Sequence, residues 1–341
     1  MRKVAIIGAG IGREHLAAYK ALPQHFDVAL ICDRDTARAA EISGDIPTSD
    51  DLATALASDA DLIDICLPPH LHVSATLQAL EAGKDVICEK PIATSLADMD
   101  RLQAASARMG KTIYPVFQYR FGTGVAQVLH LIRTGLAGKA FAATFETHWR
   151  RDADYYAMDW RGTWAGEQGG VILGHAIHAH DLMCLLLGPV VQVRAQLATR
   201  VNDIETEDCA TISFTMDSGA LVTSSATLGA GNDTSRIKLM FEGFTTESGL
   251  SPYAPASAPW IITPRATSQA QIDAALSQVT PPRLGFEGFL QAIATGQDAV
   301  TLADGRASVE LVTALYASAR SGGAAHLPLP RTHPLYDGWQ P

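Results

Sequence analysis

Val4-Ala5-Ile6-Ile7-Gly8-Ala9-Gly10-Ile11-Gly12 is the stretch that decides the fold. Four apolar residues run into a glycine-spaced turn, and a helical pattern follows from Gly12 to Leu22. A short run that is apolar throughout reads as a strand buried on both faces, as inside a parallel sheet flanked by helices. The alternation then repeats. Strands are expected at Val28–Cys32, Leu62–Cys66, Val86–Cys88 and Thr112–Val116. Helices are expected over Asp50–Ala57 after Ser49, His70–Ala82 ending at Gly83, and Leu96–Met109 between Ser95 and Gly110. This βαβ rhythm predicts an α/β protein whose residues 1–121 form a doubly wound parallel sheet of the Rossmann type.

The pattern changes after Phe121-Gly122, so residues 122–341 are expected to form a second α/β domain. A helix near Val125–Arg133 leads to the run Ala140–His148 and, after a polar aromatic stretch, to the apolar segment Gly170–Leu187. Strand-like runs then follow without helices between them, at Val190–Leu197, Ala210–Met216, Ala220–Ala226 and Arg236–Phe241, which predicts a largely antiparallel open sheet. Residues 249–282, rich in Pro, Ser and Ala, read as an irregular excursion. Helices at Phe286–Ala294 and Gly305–Arg320 close the chain.

Composition narrows the function. A length of 341 residues suits about two domains. A net charge of −10 without a Lys or Arg cluster argues against nucleic acid and anionic membranes. Cys32, Cys66, Cys88, Cys184 and Cys209 form no C-x-x-C pair, so reduced core thiols are expected rather than disulfides or zinc. The first apolar run is too short for a signal peptide and no run of about 18 apolar residues exists, so a cytoplasmic protein is expected.

Gly8, Gly10, Ile11 and Gly12 lie between the first strand and the first helix, where a backbone without side chains can approach a pyrophosphate at a helix N-terminus. The spacing is G-x-G-x-G, with Arg13 at the sixth position. Asp33 closes the second strand about 20 residues on, placed to accept ribose hydroxyls and to repel a 2′-phosphate. NAD is therefore expected over NADP, although Arg34 beside it could pair with a phosphate.

The fourth strand ends in Glu89-Lys90-Pro91, and the carboxyl ends of strands are where open α/β sheets bind ligands. Lys90 is thus a candidate for meeting substrate. His175, His178 and Asp181 recur at one-turn spacing and would share a face of one helix, with His180 turned away. A histidine beside a carboxylate suits proton transfer near neutral pH. A metal site is disfavoured, because neither an H-E-x-x-H pattern nor a second ligand cluster is present. Trp149, Trp160 and Trp164, with Arg150, Arg151 and Arg161 among them, are candidates for the apolar face and the oxygens of a sugar.

Taken together, the chain resembles the glucose–fructose oxidoreductase / inositol dehydrogenase (Gfo/Idh/MocA) family over nearly its whole length. The resemblance rests on Gly8–His15, Leu67-Pro68-Pro69-His70-Leu71-His72, Glu89-Lys90-Pro91, Gln118-Tyr119-Arg120-Phe121, Trp160-Arg161 and Gly170–Asp181. It implies that Lys90 is the active-site lysine and that His178 lies near the reacting carbinol; His175, next to Gly174, is a candidate to assist proton relay or position a neighbouring hydroxyl, with Asp181 the alternative support for His178. It also places Leu67, Pro68, His72, Glu89 and Gln118 near the nicotinamide half of the cofactor, with Trp160 and Arg161 approaching it. Arg120, Trp149, Trp160, His175 and His178 fall, with Lys90, on the substrate side. Many relatives carry an Asp four residues before this histidine; here the position is Gly174. The family's second domain binds substrate and usually packs through its sheet against another subunit, giving dimers or tetramers.

The expectation is an NAD(P)-dependent dehydrogenase that moves hydride between the nicotinamide and a secondary alcohol of a sugar, sugar derivative or cyclitol. Two alternatives stand beside it. One is a redox-assisted elimination or glycoside cleavage that recycles NAD; the other is a nucleotide-sensing protein without turnover.

Overall fold

A computed structural model describes residues 1–341. Two compact units emerge, Met1–Phe117 with Phe286–Val309, and Gln118–Gly285 with Glu310–Pro341.

The first unit opens with β1 (Arg2–Ile7), α1 (Ala9–Lys20), β2 (Phe26–Cys32), α2 (Thr36–Ser43), β3 (Thr48–Ser49) and α3 (Leu52–Ala57). It continues with β4 (Leu62–Ile65), α4 (His72–Glu81), β5 (Asp85–Cys88), α5 (Leu96–Met109) and β6 (Ile113–Pro115). All strand pairs are parallel, in the order β3-β2-β1-β4-β5-β6, the Rossmann order with its switch point beside β1. Val4–Ile7 of β1 and all of β4, Asp64 included, are buried, as strands covered by helices on both faces are. α5 has the expected ends: Ser95 Oγ accepts the Asp98 N–H, and Gly110 takes the left-handed conformation (φ 61°). The sequence reading missed α2 and β3. α2 is short and its cap, Asp35, sits inside the polar run after Asp33; β3 is only two residues long.

The second unit contains α6 (Thr123–Arg133), β7 (Ala140–Arg150), α7 (Val171–Gly174), α8 (Ile177–Leu187), β8 (Val190–Ala198), β9 (Cys209–Met216), β10 (Leu221–Thr227) and β11 (Gly229–Phe241). β12 (Phe244–Glu247), β13 (Ile261–Pro264) and α9 (Gln269–Leu276) follow; α10 (Gly285–Thr295) and the start of α11 (Leu302–Ser321) belong to the first unit, and the rest of α11 leads to β14 (Ala325–His326) in the second. The eight strands run β13-β12-β11-β7-β10-β9-β8-β14 and are antiparallel except for the β7–β10 pair. Along β7 the alternate residues Ala143, Phe145, Thr147 and Trp149 are buried, so one face carries the core. The stretch 249–282 is less irregular than expected: it holds β13, and α9 starts from a capping box between Ser268 and Gln271. All five cysteines are free thiols, and no helix is long and apolar enough to cross a membrane.

Candidate functional site

In the first unit, β1 delivers the chain to Gly8, whose φ of +103° and whose place against the Cys66 carbonyl exclude any side chain; a Cβ there would lie 2.4 Å from that oxygen. The helix begins at once, at Ala9 rather than Gly12, so Gly10, Ile11 and Gly12 form its first turn. Gly12 allows close packing of helix on strand, since a Cβ would sit 2.9 Å from Ile6. Gly10 faces open space and Ile11 is exposed. First-turn N–H groups have no acceptor inside the helix, so this end is shaped for an anion. Asp33 follows β2 and steadies the turn, accepting the Ala9 N–H at 2.7 Å and the Asp35 N–H at 2.9 Å; Arg34 is exposed beside it.

Leu67 and Pro68 leave the end of β4, and Glu89 and Lys90 leave the end of β5. His72 ties these two exits together, one ring nitrogen 2.7 Å from the Leu67 carbonyl and the other 2.6 Å from that of Pro91. The Glu89 carboxylate accepts the Lys90 N–H at 3.0 Å and lies 3.1 Å from His15 Nε2.

Behind Glu89 lies a charged chain that sequence reasoning missed. His15 Nδ1 is 2.9 Å from Asp64, which also accepts the Tyr19 hydroxyl at 2.9 Å. His15 is 1% exposed and Asp64 0%. Burial alone would depress the imidazole, but the Asp64 charge and hydrogen bond overcome it and hold His15 well above the ordinary histidine range. Burial pushes the neighbouring Cys66 thiol up to about 12, so it stays neutral. His15, lying between two carboxylates, therefore favours the protonated form. His15, Asp64 and Cys66 also lie close enough together to hold a metal ion. The available signal was an acid in the middle of the apolar run Leu62–Cys66.

In the second unit the histidine segment is not one helix. α7 ends at Gly174, His175 sits in the break (φ −126°, ψ −59°), and α8 starts at Ile177. The expected single face of His175, His178 and Asp181 therefore does not form. Glu207 fixes the start of α7, accepting the Gly170 and Ile172 N–H groups at 3.1 and 3.2 Å and the Tyr316 hydroxyl at 2.9 Å. Burial raises the Glu207 carboxyl to about 7. A Cβ on Gly170 would meet the Glu207 carbonyl oxygen at 1.8 Å, so only glycine fits.

Released from the helix, His175 turns to two aromatic rings. Its Nε2 is 3.3 Å from the Tyr155 hydroxyl, and the Trp149 ring stands edge-on at 5.2 Å. His178 stacks on Tyr119 at 4.4 Å. Asp181, expected as a brace for the histidines, is gripped by Arg120 through bonds of 2.7 and 2.5 Å. His180 bonds Ser224 at 3.0 Å and burial lowers it to about 4, the profile of a core histidine. Gln118 buries its side-chain oxygen without a partner in the chain.

Trp149 bonds Ser235 from within the core. Arg161 lies 4.5 Å over Trp160 and 3.9 Å over Tyr155, and donates to the Tyr155 oxygen. Trp164 instead packs on Tyr316 beside Trp339, away from these rings. Arg150 is a surface residue near Asp152. At Gly174 a carboxylate is close by after all: Glu167 Oε1 lies 3.6 Å from where a side chain would begin. The concavity of about 770 Å³ on the open face of the sheet, beside Thr144, Glu146, Gln196 and Ser225, holds none of the expected site residues.

A Rossmann unit with a dinucleotide-shaped turn, joined in one chain to a unit of mixed sheet whose α7–α8 segment carries two buried histidines, defines a two-domain class. The chain belongs to the Gfo/Idh/MocA oxidoreductase family: its NAD-binding Rossmann fold matches residues 2–117 and its C-terminal domain residues 125–244. Levoglucosan dehydrogenase of Pseudarthrobacter phenanthrenivorans is 30% identical over 59% of this chain and 55% of that protein. D-glucoside 3-dehydrogenase of Escherichia coli is 29% identical over 54% of each. The chain thus spans little more than half the length of these relatives. Over almost the whole length, the WlbA dehydrogenase from Bordetella pertussis, solved with NADH and UDP-GlcNAcA, has the same fold. Its TM-score is 0.86 at 26% identity, covering 96% of this chain and 99% of that one.

Proposed function

We propose that the protein is an NAD-dependent dehydrogenase acting on a secondary alcohol of a sugar, sugar derivative or cyclitol. The observation that carries this reading is the arrangement at the strand ends of the first unit. The turn at Gly8, open at Gly10 and backed by Asp33, fits a dinucleotide, and Lys90 stands one strand beyond the neighbouring β4. The relatives with sugar substrates and bound NADH support it. The nicotinamide supplies a hydride acceptor when bound. The first turn of α1 would hold the pyrophosphate and Asp33 the ribose hydroxyls, which favours NAD over NADP. Leu67, Pro68, His72, Glu89, Gln118, Trp160 and Arg161 are proposed for the nicotinamide half.

In this reading His178 removes the hydroxyl proton, and Lys90 hydrogen-bonds the same oxygen as negative charge develops on it. His175, held by Tyr155, positions a neighbouring hydroxyl. Glu167 stands in for the carboxylate absent at Gly174 and steadies the segment before the histidines. Arg120 belongs on the substrate side as the brace of Asp181. The open face of the sheet, with Leu221 exposed on β10, is proposed to seat a further copy of the chain. The test is Lys90→Met against a panel of polyols and glycosides: NAD binding is retained and NADH formation nearly abolished. Unchanged turnover would overturn the assignment of the lysine.

A further inference from the structure

Trp339 lies far along the chain from the histidines, yet it is 0% exposed and packs against the segment that leads into them. Its indole N–H donates to the Gln168 carbonyl at 2.8 Å, and its own carbonyl accepts from Arg320. Its ring stacks on Tyr316 with centroids 5.5 Å apart. Trp164 stands edge-on to the same tyrosine at 5.7 Å, and the tyrosine hydroxyl donates to Glu207 at 2.9 Å. A buried indole or phenol needs an acceptor for its polar hydrogen, so these two bonds fix both the rings and the groups they reach.

The two bonds arrive on either side of the start of α7. Gln168 has a φ of +66°, a conformation that few residues with a side chain adopt unless their surroundings hold it. Its N–H donates to the Thr163 carbonyl at 3.2 Å and its carbonyl accepts from Trp339. Gly169 follows, where a Cβ would lie 2.7 Å from the Tyr316 hydroxyl oxygen. Glu207 then takes the Gly170 and Ile172 N–H groups on its carboxylate, and its main-chain carbonyl accepts the Val171 N–H at 2.7 Å. The Val171 carbonyl in turn accepts the N–H groups of His175 and Ala176, at 3.2 and 2.8 Å. Ala176 caps α8, two residues before His178. Each step from Trp339 to these residues is thus a ring stack or a hydrogen bond between buried groups.

We propose that Trp339 and Tyr316 are positioning residues: acting through Glu207, they hold α7 in the short turn that sets His175 off the helix and places His178 in the first turn of α8. What the histidines do rests on the dehydrogenase reading; how they are held does not. Two mild substitutions test it. Trp339→Phe keeps a ring but loses the N–H, and Tyr316→Phe keeps the stack but loses the hydroxyl. In the full-length protein, amide hydrogen exchange read by mass spectrometry is about tenfold faster over residues 169–178 in each variant, the worth of one buried hydrogen bond. Peptides of β11 and β12 in the same unit keep their rate. With NAD and a panel of polyols and glycosides, kcat falls about tenfold while KM stays within about threefold, because misplaced proton-transfer groups cost rate rather than binding. Unchanged exchange over 169–178 in both variants overturns the proposal. So does a rise shared equally by β11 and β12, which marks a general loss of stability, or an unchanged kcat. If the unaltered protein forms no NADH with any compound of the panel, the dehydrogenase reading fails, and the exchange result alone decides whether the two rings hold the segment.

Discussion

Replacing His15 by Gln removes the cation from the middle of a sealed row of charges. Asp64 is 0% exposed and Glu89 6%, and His15 reaches both, at 2.9 and 3.1 Å. Deleting one partner of a buried ion pair costs about 3–5 kcal/mol, because the charge left behind is neither hydrated nor paired. For a cooperative unit of this size that corresponds to a loss of roughly 6–20 °C in Tm. The pH dependence adds a second signature. A histidine raised above its ordinary 6.5 on folding contributes stability that is complete below that value. The contribution is lost as pH climbs through the folded value, so this falling limb above 6.5 is missing from the variant. Adding Asp64→Asn to His15→Gln restores part of the loss, because one stranded charge has been removed. Thermal unfolding followed by circular dichroism at pH values on both sides of 6.5 reads all three. A Tm drop under about 2 °C with an unchanged pH profile would refute the imidazolium assignment.

The remaining predictions concern the second unit and the cofactor turn. Arg120→Ala removes the guanidinium that grips the buried Asp181 carboxylate and lowers stability by up to about 3–5 kcal/mol, measured by denaturant unfolding. Glu207 is raised from 4.5 to about 7, so its contribution to stability is complete below 4.5 and lost as pH rises through 7. Glu207→Gln flattens that decline in Tm-against-pH curves. Glu167→Gln lowers kcat by about 10²-fold with a smaller change in KM, consistent with a lost carboxylate near the histidines rather than lost substrate binding. Asp33→Asn weakens NAD binding by about 10–100-fold, the worth of charge-assisted hydrogen bonds, while NADP is affected less; calorimetry separates the two.

Much of this architecture was legible because its signals are local. Wholly apolar runs such as Val4–Ile7 fall where parallel strands must be, and Ser95 and Gly110 mark the ends of α5 as capping chemistry requires. Strand-like runs without helices between them foretold the antiparallel character of the second sheet. Signals that depend on distant partners were missed. Periodicity carries His175 onto the face of His178, but the clash at Gly170 and the Glu207 anchor fix a separate short turn whose end leaves His175 off the helix. Tyr155 has no pattern of its own; only the folded position of His175 makes it part of the site. Asp64 looks like an interruption in a strand until His15 and Tyr19 arrive from α1.

The first unit is completed by residues 286–309, which bring Phe286 to within 4.4 Å of the His15 ring. Those residues leave the ribosome long after Phe117. At typical synthesis rates of about 5–20 residues per second the nascent nucleotide-binding half waits roughly ten to forty seconds for its final piece. During that interval its charged interior lacks an aromatic lid, which makes it a natural client for chaperones. A gene truncated after residue 121 would encode the sheet without its closure, and should yield a protein prone to proteolysis however complete its strands.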